Sequence, residues 1–146
     1  MRRFLLPAVL MSLLMNPGCS EPPQDAPKAE LHSFSGIVKF NGKPANGAVV
    51  SLHPIGKSVL GVVTPNGVAD DNGMFMLTTY KNGDGAPEGK YKVTVSWADL
   101  KGGSSSDPEY GPEKLPTRYQ STESSGLELE VKPGLAESPV LDLKTR

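Results

Sequence analysis

Short segments in which apolar and polar residues alternate recur along most of this chain. The clearest one spans residues 90–97, where Tyr91, Val93, Val95 and Trp97 alternate with Lys90, Lys92, Thr94 and Ser96. Alternation with a period of two places one set of side chains on each face of a strand. Similar segments occupy residues 35–40, 48–53, 74–80, 127–131 and 140–144, and a less regular one occupies 55–65. The pattern predicts about seven strands.

Turn-forming pairs separate these segments, and no helical period lies between them. Asn-Gly pairs occur at 41–42, 46–47 and 72–73, and Pro-Gly occurs at 133–134. Half-apolar strands are typical of antiparallel sheets with one face in water, and two such sheets can bury their apolar faces against each other. The sequence therefore predicts an all-β fold, a seven-stranded antiparallel β-sandwich. The largest expected core side chains are Phe40, Phe75, Tyr91 and Trp97.

Composition supports the all-β fold and argues against one kind of partner, nucleic acid. The 146 residues include 16 Gly and 14 Pro, which would interrupt the helices of a bundle or coiled coil. With 15 basic and 16 acidic residues, the net charge is −1, so the chain lacks the basic excess that binding to nucleic acid requires. We expect no nucleic-acid partner.

The N-terminus has the pattern of a secretory signal peptide. Arg2 and Arg3 precede an apolar run from Phe4 to Met15. These 12 residues are too few to span a bilayer, which needs about 20. A buried amphipathic helix is the alternative, but the run is apolar on all sides.

The end of this segment, Gly18-Cys19, resembles the lipobox of bacterial lipoproteins. The resemblance implies a signal peptide of residues 1–18, cleaved before Cys19, whose sulfur would carry a lipid anchor and whose acyl chains, such as palmitate, would hold the protein on a membrane. The alternative is a free thiol near an ordinary cleavage site; an internal disulfide is excluded because Cys19 is the only cysteine. Ser20 resembles the residue that directs lipoproteins to the outer membrane. We therefore expect a cell-envelope protein facing the periplasm or the cell exterior.

Residues 19–33 read as a tether. Pro22, Pro23 and Pro27 stand among polar residues without an apolar period, a composition that favours extended, flexible chain. The folded domain is expected to occupy residues 34–146.

Two motifs in that domain resemble carboxypeptidase-regulatory-like domains. Residues 70–77, DDNGMFML, match the family's DxxGxFxL, and residues 86–95, APEGKYKVTV, match its PxGxYxVxV. Residues 36–48, together with Leu115-Pro116-x-x-Tyr119 and residues 125–127, are similar to small bacterial lipoproteins of this kind. The resemblance covers about residues 35–144. It implies a transthyretin-like (prealbumin-like) sandwich and roles in adhesion, assembly or carbohydrate contact, and it specifies no chemistry.

Tests for catalytic and metal-binding motifs lead to no candidate. The histidines, His32 and His53, form no ligand set with Cys19, and Gly56-Lys57-Ser58 lacks the upstream glycine and following helix of a phosphate-binding loop. The acidic turns at residues 70–72 and 82–84 could attract calcium, but turn chemistry accounts for them better. The C-terminus, Leu-Lys-Thr-Arg, differs from the Tyr-Arg-Gly-Ser of transthyretin-related hydroxyisourate hydrolases. We expect no enzyme activity, cofactor or metal.

The connection from residue 99 to 125 is the candidate binding surface. A structureless link of this length is uncommon in a compact domain unless it is functional or poorly ordered. It carries Tyr110, Arg118 and Tyr119, residue types favoured at contact surfaces. The alternative is that Leu115 and Tyr119 simply hold the loop against the sandwich.

Taken together, these features predict a non-enzymatic, lipid-anchored envelope module that binds a protein or glycan or has a structural role. The alternative is a periplasmic small-ligand-binding or enzyme-accessory protein, which would require a concave pocket with converging polar groups.

Overall fold

The computed structural model describes residues 29–58, 61, 63–134 and 138–146. The expected signal peptide, Cys19 and most of the expected tether lie outside these residues. In the described part of the chain the regular structure is ten strands and one short 3₁₀ helix, so the all-β prediction is confirmed. The strands are β1 (Ser35–Phe40), β2 (Lys43–Pro44), β3 (Val49–Pro54), β4 (Asn66–Val68), β5 (Met74–Met76), β6 (Gly89–Ser96), β7 (Leu100–Ser104), β8 (Asp107–Tyr110), β9 (Glu128–Val131) and β10 (Val140–Leu143), and the 3₁₀ helix is Thr117–Gln120.

The first sheet is organised around β1, which pairs with three other strands. Its first half pairs antiparallel with β5, and its end pairs antiparallel with β2. Its other side pairs with β10 in parallel, with Val38 opposite Leu141 and Phe40 opposite Leu143. This pairing joins the beginning and the end of the described domain.

The second sheet has the strand order β4-β3-β6-β9, and all of its pairs are antiparallel. In its centre Val50 lies opposite Val95 and Leu52 opposite Val93, and all four side chains are buried. Strands β7 and β8 form a separate two-stranded hairpin, which we call the arm.

Both four-stranded sheets contribute to one hydrophobic core. The largest fully buried side chains include Phe75 and Leu143 from the first sheet and Leu52 from the second, with Leu77 just beyond β5. Of the four large side chains expected in the core, Phe75 and Tyr91 are buried. Phe40 and Trp97 pack against the core half-buried, edge to face with each other and with ring centroids 6.1 Å apart.

Side-chain hydrogen bonds shape the turns that join the core strands. Asp70 Oδ1 accepts hydrogen bonds from the backbone N–H groups of Asn72 and Met74, each at 2.9 Å. Gly73 has φ of 77°, which a residue with a side chain adopts only with strain. The motif at residues 70–77 therefore forms a tight reversal into β5.

Several details of the strand prediction differ from the structure. The described residues form ten strands rather than about seven, and β1 and β10 are parallel rather than antiparallel. The described residues between 55 and 65 contain no strand, and β5 ends at Met76 rather than Tyr80. The segment from 99 to 125, expected to be structureless, contains the arm and the 3₁₀ helix. Backbone pairing orders the arm without burying an apolar face, whereas Tyr119 of the 3₁₀ helix is buried.

The described residues hold no helix with the length and apolar character needed to cross a bilayer.

Candidate binding groove at the base of the arm

The arm is an exposed hairpin that leaves the end of β6. All of its strand residues are exposed. At its base Leu100 lies opposite Tyr110, and these side chains are 65% and 62% exposed. The N–H of Gly111 donates to the carbonyl of Asp99 at 2.8 Å and closes the base. The arm thus presents an apolar side-chain pair to solvent on an ordered backbone.

Glu113 holds the base of the arm against β6. Its Oε1 accepts from the backbone N–H groups of Trp97 at 2.7 Å and of Lys114 and Leu115 at 3.1 Å, and its Oε2 accepts from Ser96 Oγ at 2.7 Å. Partial burial acts to raise the pKa of this carboxyl, but these hydrogen bonds outweigh it and leave the pKa below its ordinary value. Glu113 is therefore an ionised carboxylate in a fixed position.

A second cluster, on Trp97, joins the same region to the core. The indole Nε1 donates to the carbonyl of Asn46 at 2.7 Å, and the Nζ of Lys114 lies 4.6 Å from the centroid of the indole ring. Lys114 also forms an ion pair with Asp99. This cluster therefore combines an aromatic ring, a lysine and a carboxylate from one chain.

A groove of about 440 Å³ lies between the arm base and the outer face of the second sheet. Its floor includes Val49, Ser96 and Ala98. One side is formed by Tyr110, at the end of β8, and by Glu113, which follows β8. Val49 and Ser96 are opposite each other across β3 and β6. We call this space the arm groove. It places one exposed aromatic ring and one oriented carboxylate around a floor that includes the apolar side chains of Val49 and Ala98.

The structure separates the three residues that sequence analysis grouped as a binding loop. Tyr110 lines the arm groove, whereas Tyr119 is only 6% exposed and belongs to the core. Arg118 Nη2 donates to Tyr119 Oη at 2.9 Å and to the carbonyl of Lys144 at 2.6 Å. Leu115 is also buried. This geometry supports the alternative in which Leu115 and Tyr119 hold the segment against the sheets, while a binding role for Arg118 or Tyr119 stays a prediction.

The hydroxyl of Tyr119 is the centre of a clasp on the last described strand. It accepts from the N–H of Lys144 at 3.0 Å as well as from Arg118. Burial acts to raise the pKa of Tyr119, but the hydrogen bonds from Lys144 and Arg118, with the positive charge of Arg118, lower it. The clasp fixes the end of β10, the strand that pairs in parallel with β1.

The groove residues that sequence reasoning missed include Glu113, Ser96 and Val49. They come from separate segments, and no local motif relates them. Only Ser96 and Val49 share a signal, which is position: Ser96 lies on the polar side of the clearest alternating strand, and its partner Val49 takes the corresponding place on β3.

The other titratable candidates have structural partners. Asp84 accepts from the backbone N–H groups of Thr79, Tyr80 and Lys81 at 2.7–3.0 Å; desolvation acts to raise its pKa, but these bonds lower it below the ordinary value. His53 Nε2 lies 2.9 Å from Thr94 Oγ1. In the described residues no three His, Cys, Asp or Glu side chains cluster as a metal site would require.

A second open groove, of about 470 Å³, lies beside β4 and β5. The exposed side chains of Val68, Met74 and Met76 line it together with Asn66 and Thr78. It lacks an aromatic ring, and its carboxylate, Asp70, already binds the backbone of its own turn. The arm groove is therefore the better candidate site.

Comparisons with known proteins add little information about the fold or the function. No family model matches the sequence, and no curated protein matches it. Among solved structures, the chain is similar to a 9R-lipoxygenase from Cyanothece PCC8801, with 14% identity and a TM-score of 0.34. The alignment covers 94% of this chain but only 18% of the lipoxygenase. Similarity at this level is no basis for assigning either fold or activity.

Proposed function

We propose that this chain is a non-enzymatic binding module of the bacterial cell envelope, anchored by lipid and built on a β-sandwich, and that the arm groove is its binding surface. One observation carries the proposal: an ordered arm presents Tyr110, 62% exposed, beside the oriented carboxylate of Glu113. Exposed aromatic residues on a rigid support are typical of contact surfaces.

Two features support the seven-stranded sandwich within this proposal. Both four-stranded sheets contribute to one core. When the two-residue strand β2 and the two strands of the arm are set aside, seven strands remain. That number agrees with the transthyretin-like architecture implied by the motifs at residues 70–77 and 86–95.

The membrane anchor in this proposal rests on the N-terminal sequence. The apolar segment 4–15 and the Gly18-Cys19 pair are the pattern of a lipoprotein signal. Cleavage before Cys19 and acylation of its sulfur would hold the domain at the membrane, preferably the outer membrane, through the tether 19–33. Metabolic labelling with a fatty-acid analogue tests this: the natural sequence should incorporate label and Cys19→Ser should not. Equal labelling of the two proteins would remove the anchor.

Site-specific crosslinking in cells tests the binding function. A benzophenone amino acid placed at position 110 should give discrete crosslinked products with an envelope component. The same group at position 80 is the control, because Tyr80 is also exposed but does not line the arm groove. Identical products from both positions, or none from position 110 in a folded and correctly located protein, would contradict the assignment.

The groove volume also favours a second candidate function, a periplasmic small-ligand-binding or enzyme-accessory protein. About 440 Å³ lies within the range of roughly 300–1,000 Å³ typical of small-molecule sites. A small metabolite that raises the melting temperature of the natural protein but not of Tyr110→Ala, with no crosslinked macromolecule, would favour this candidate.

A further inference from the structure

We propose that the arm groove receives a lysine or arginine side chain of a partner protein. This inference rests on the proposed function, in which the arm groove is the binding surface, and it names the chemistry of the partner. Two residues that line the groove carry groups that attract such a side chain, the aromatic ring of Tyr110 and the carboxylate of Glu113.

Charge is the first argument for a basic guest. Glu113 is the one charged residue among those that line the arm groove in the described structure. Three of its hydrogen bonds reach Oε1, whereas Oε2 accepts only from Ser96 Oγ. Oε1 is thus fully used, whereas Oε2, with about two acceptor sites and one bond, can still accept from a cationic donor. The same negative charge disfavours a phosphate or an acidic peptide.

The aromatic ring and the floor are the second argument. A cation is attracted to the face of an aromatic ring when it lies within about 6 Å of the ring centroid. Lysine and arginine also carry apolar stems, which cover apolar surface while the charged group remains hydrated or paired. Val49 and Ala98, which line the same groove as Tyr110 and Glu113, give such a stem a surface to pack on.

The protein uses the same chemistry a few residues away. Lys114 lies with Nζ 4.6 Å from the ring centroid of Trp97 and pairs with Asp99. There, the lysine, ring and carboxylate come from one chain. In the arm groove the ring and the carboxylate belong to this chain, and we infer that the cation belongs to the partner.

Titration of the isotope-labelled full chain in detergent, followed by NMR, tests this inference. Three probes are compared: an end-blocked Gly-Ser peptide carrying three arginines, the same peptide with three glutamates, and chitotetraose as a neutral glycan. The arginine peptide should shift the amide signals of Ser96, Ala98 and Glu113, and added salt should weaken its binding because the contact is ionic. The other two probes should leave those signals in place.

Variants separate the two proposed contacts. Tyr110→Ala should weaken binding of the arginine peptide by about three- to twentyfold, whereas Tyr110→Phe retains the ring and should bind within about twofold of the natural protein. Glu113→Gln keeps an oxygen to accept from the N–H groups of Trp97 and Leu115 but removes the charge, and it should lose both affinity and salt dependence. Tyr80→Ala is the matched control and should bind normally.

Specific outcomes overturn the inference. They are equal binding of the arginine and glutamate peptides, full retention of affinity in Tyr110→Ala, or binding of chitotetraose in place of the arginine peptide. If Glu113→Gln disturbs the fold, the salt dependence of the natural protein and the Tyr110 variants decide the question. Crosslinking from position 110 to an envelope component, combined with failure of the arginine peptide, would overturn only the partner chemistry and leave the proposed function standing.

Discussion

The two-sheet core and the arm are stabilised in different ways. In β6, the residues Tyr91, Val93 and Val95 are buried and their neighbours face outward or lie at intermediate depth. In the arm, all nine strand residues are exposed. The core strands are therefore held by burial of apolar surface, whereas the arm depends on backbone pairing and on polar contacts at its base.

This difference has a consequence for function. Because the side chains of the arm are exposed and its strands are held by backbone hydrogen bonds, residues of the arm can be substituted without disturbing the packing of the core. Polar anchors such as Glu113 then determine where the arm lies relative to the second sheet. Substitutions should therefore have large effects on stability in the core, intermediate effects at the arm base and small effects on the arm itself.

The largest effect is expected at Phe75. Its side chain is 1% exposed at the centre of the core, so Phe75→Ala should lower the free energy of unfolding by about 3–5 kcal/mol. Urea denaturation measures this value. Met76→Ala is the matched control on the same strand, since Met76 is 57% exposed and should lose far less. Similar losses at the two positions would contradict the assignment of Phe75 to the core.

A smaller loss is expected where β4 approaches β5. A Cβ at Gly67 would lie 2.5 Å from the carbonyl oxygen of Met76, so Gly67→Ala should force the two strands apart and cost about 1–3 kcal/mol. Gly102→Ala, in the arm, is the control because its Cβ would meet no atom closer than 3.9 Å. Chemical denaturation of both variants compares the regions directly. If the arm variant were the less stable of the two, the contrast between core and arm would be wrong.

The sequence predicted the core well for a physical reason. A strand with one buried face leaves a period of two in its own residues, as Tyr91, Val93 and Val95 show. The parallel pairing of β1 with β10 leaves no local trace, because the two segments lie at opposite ends of the domain. The arm was missed for a related reason: Gly102, Gly103 and the serines after them have no buried face, and so they have the pattern of a flexible tip.

The candidate site was predictable only in part. Tyr110 and Tyr119 are the same residue type in the same segment, yet one is 62% exposed and the other 6%. Sequence alone does not distinguish a tyrosine at a contact surface from one that anchors a loop. The carboxylate of Glu113 acquires its role only when the fold brings Ser96 and Trp97 beside it.

The third prediction concerns this carboxylate and its pH dependence. Because the pKa of Glu113 is lowered in the folded state, its contribution to stability is present above the unfolded value of about 4.5 and is lost as the pH falls through the folded pKa. Glu113→Gln should therefore cost about 1 kcal/mol near neutral pH, and the difference from the natural protein should shrink below about pH 4.5.

Denaturation at a series of pH values measures this difference. The stability of Glu113→Gln must be subtracted from that of the natural protein at each pH, because the pKa of Asp84 is lowered too. Acid therefore weakens the natural protein through more than one group. Asp84→Asn is the control: in that background the effect of Glu113→Gln should keep the same pH profile. A Glu113→Gln effect independent of pH would mean that the ionised carboxylate does not stabilise the arm base.

The smallest effect is expected at Tyr110. Because its side chain is 62% exposed, Tyr110→Ala should change the free energy of unfolding by less than about 0.5 kcal/mol. Thermal and urea denaturation should give nearly coincident curves for the two proteins, and the amides at the arm base should retain their protection from hydrogen exchange. A larger loss would mean that Tyr110 packs the arm onto the second sheet. A near-neutral result combined with weakened binding would instead assign Tyr110 to recognition, because stability and affinity would then depend on different residues of the same hairpin.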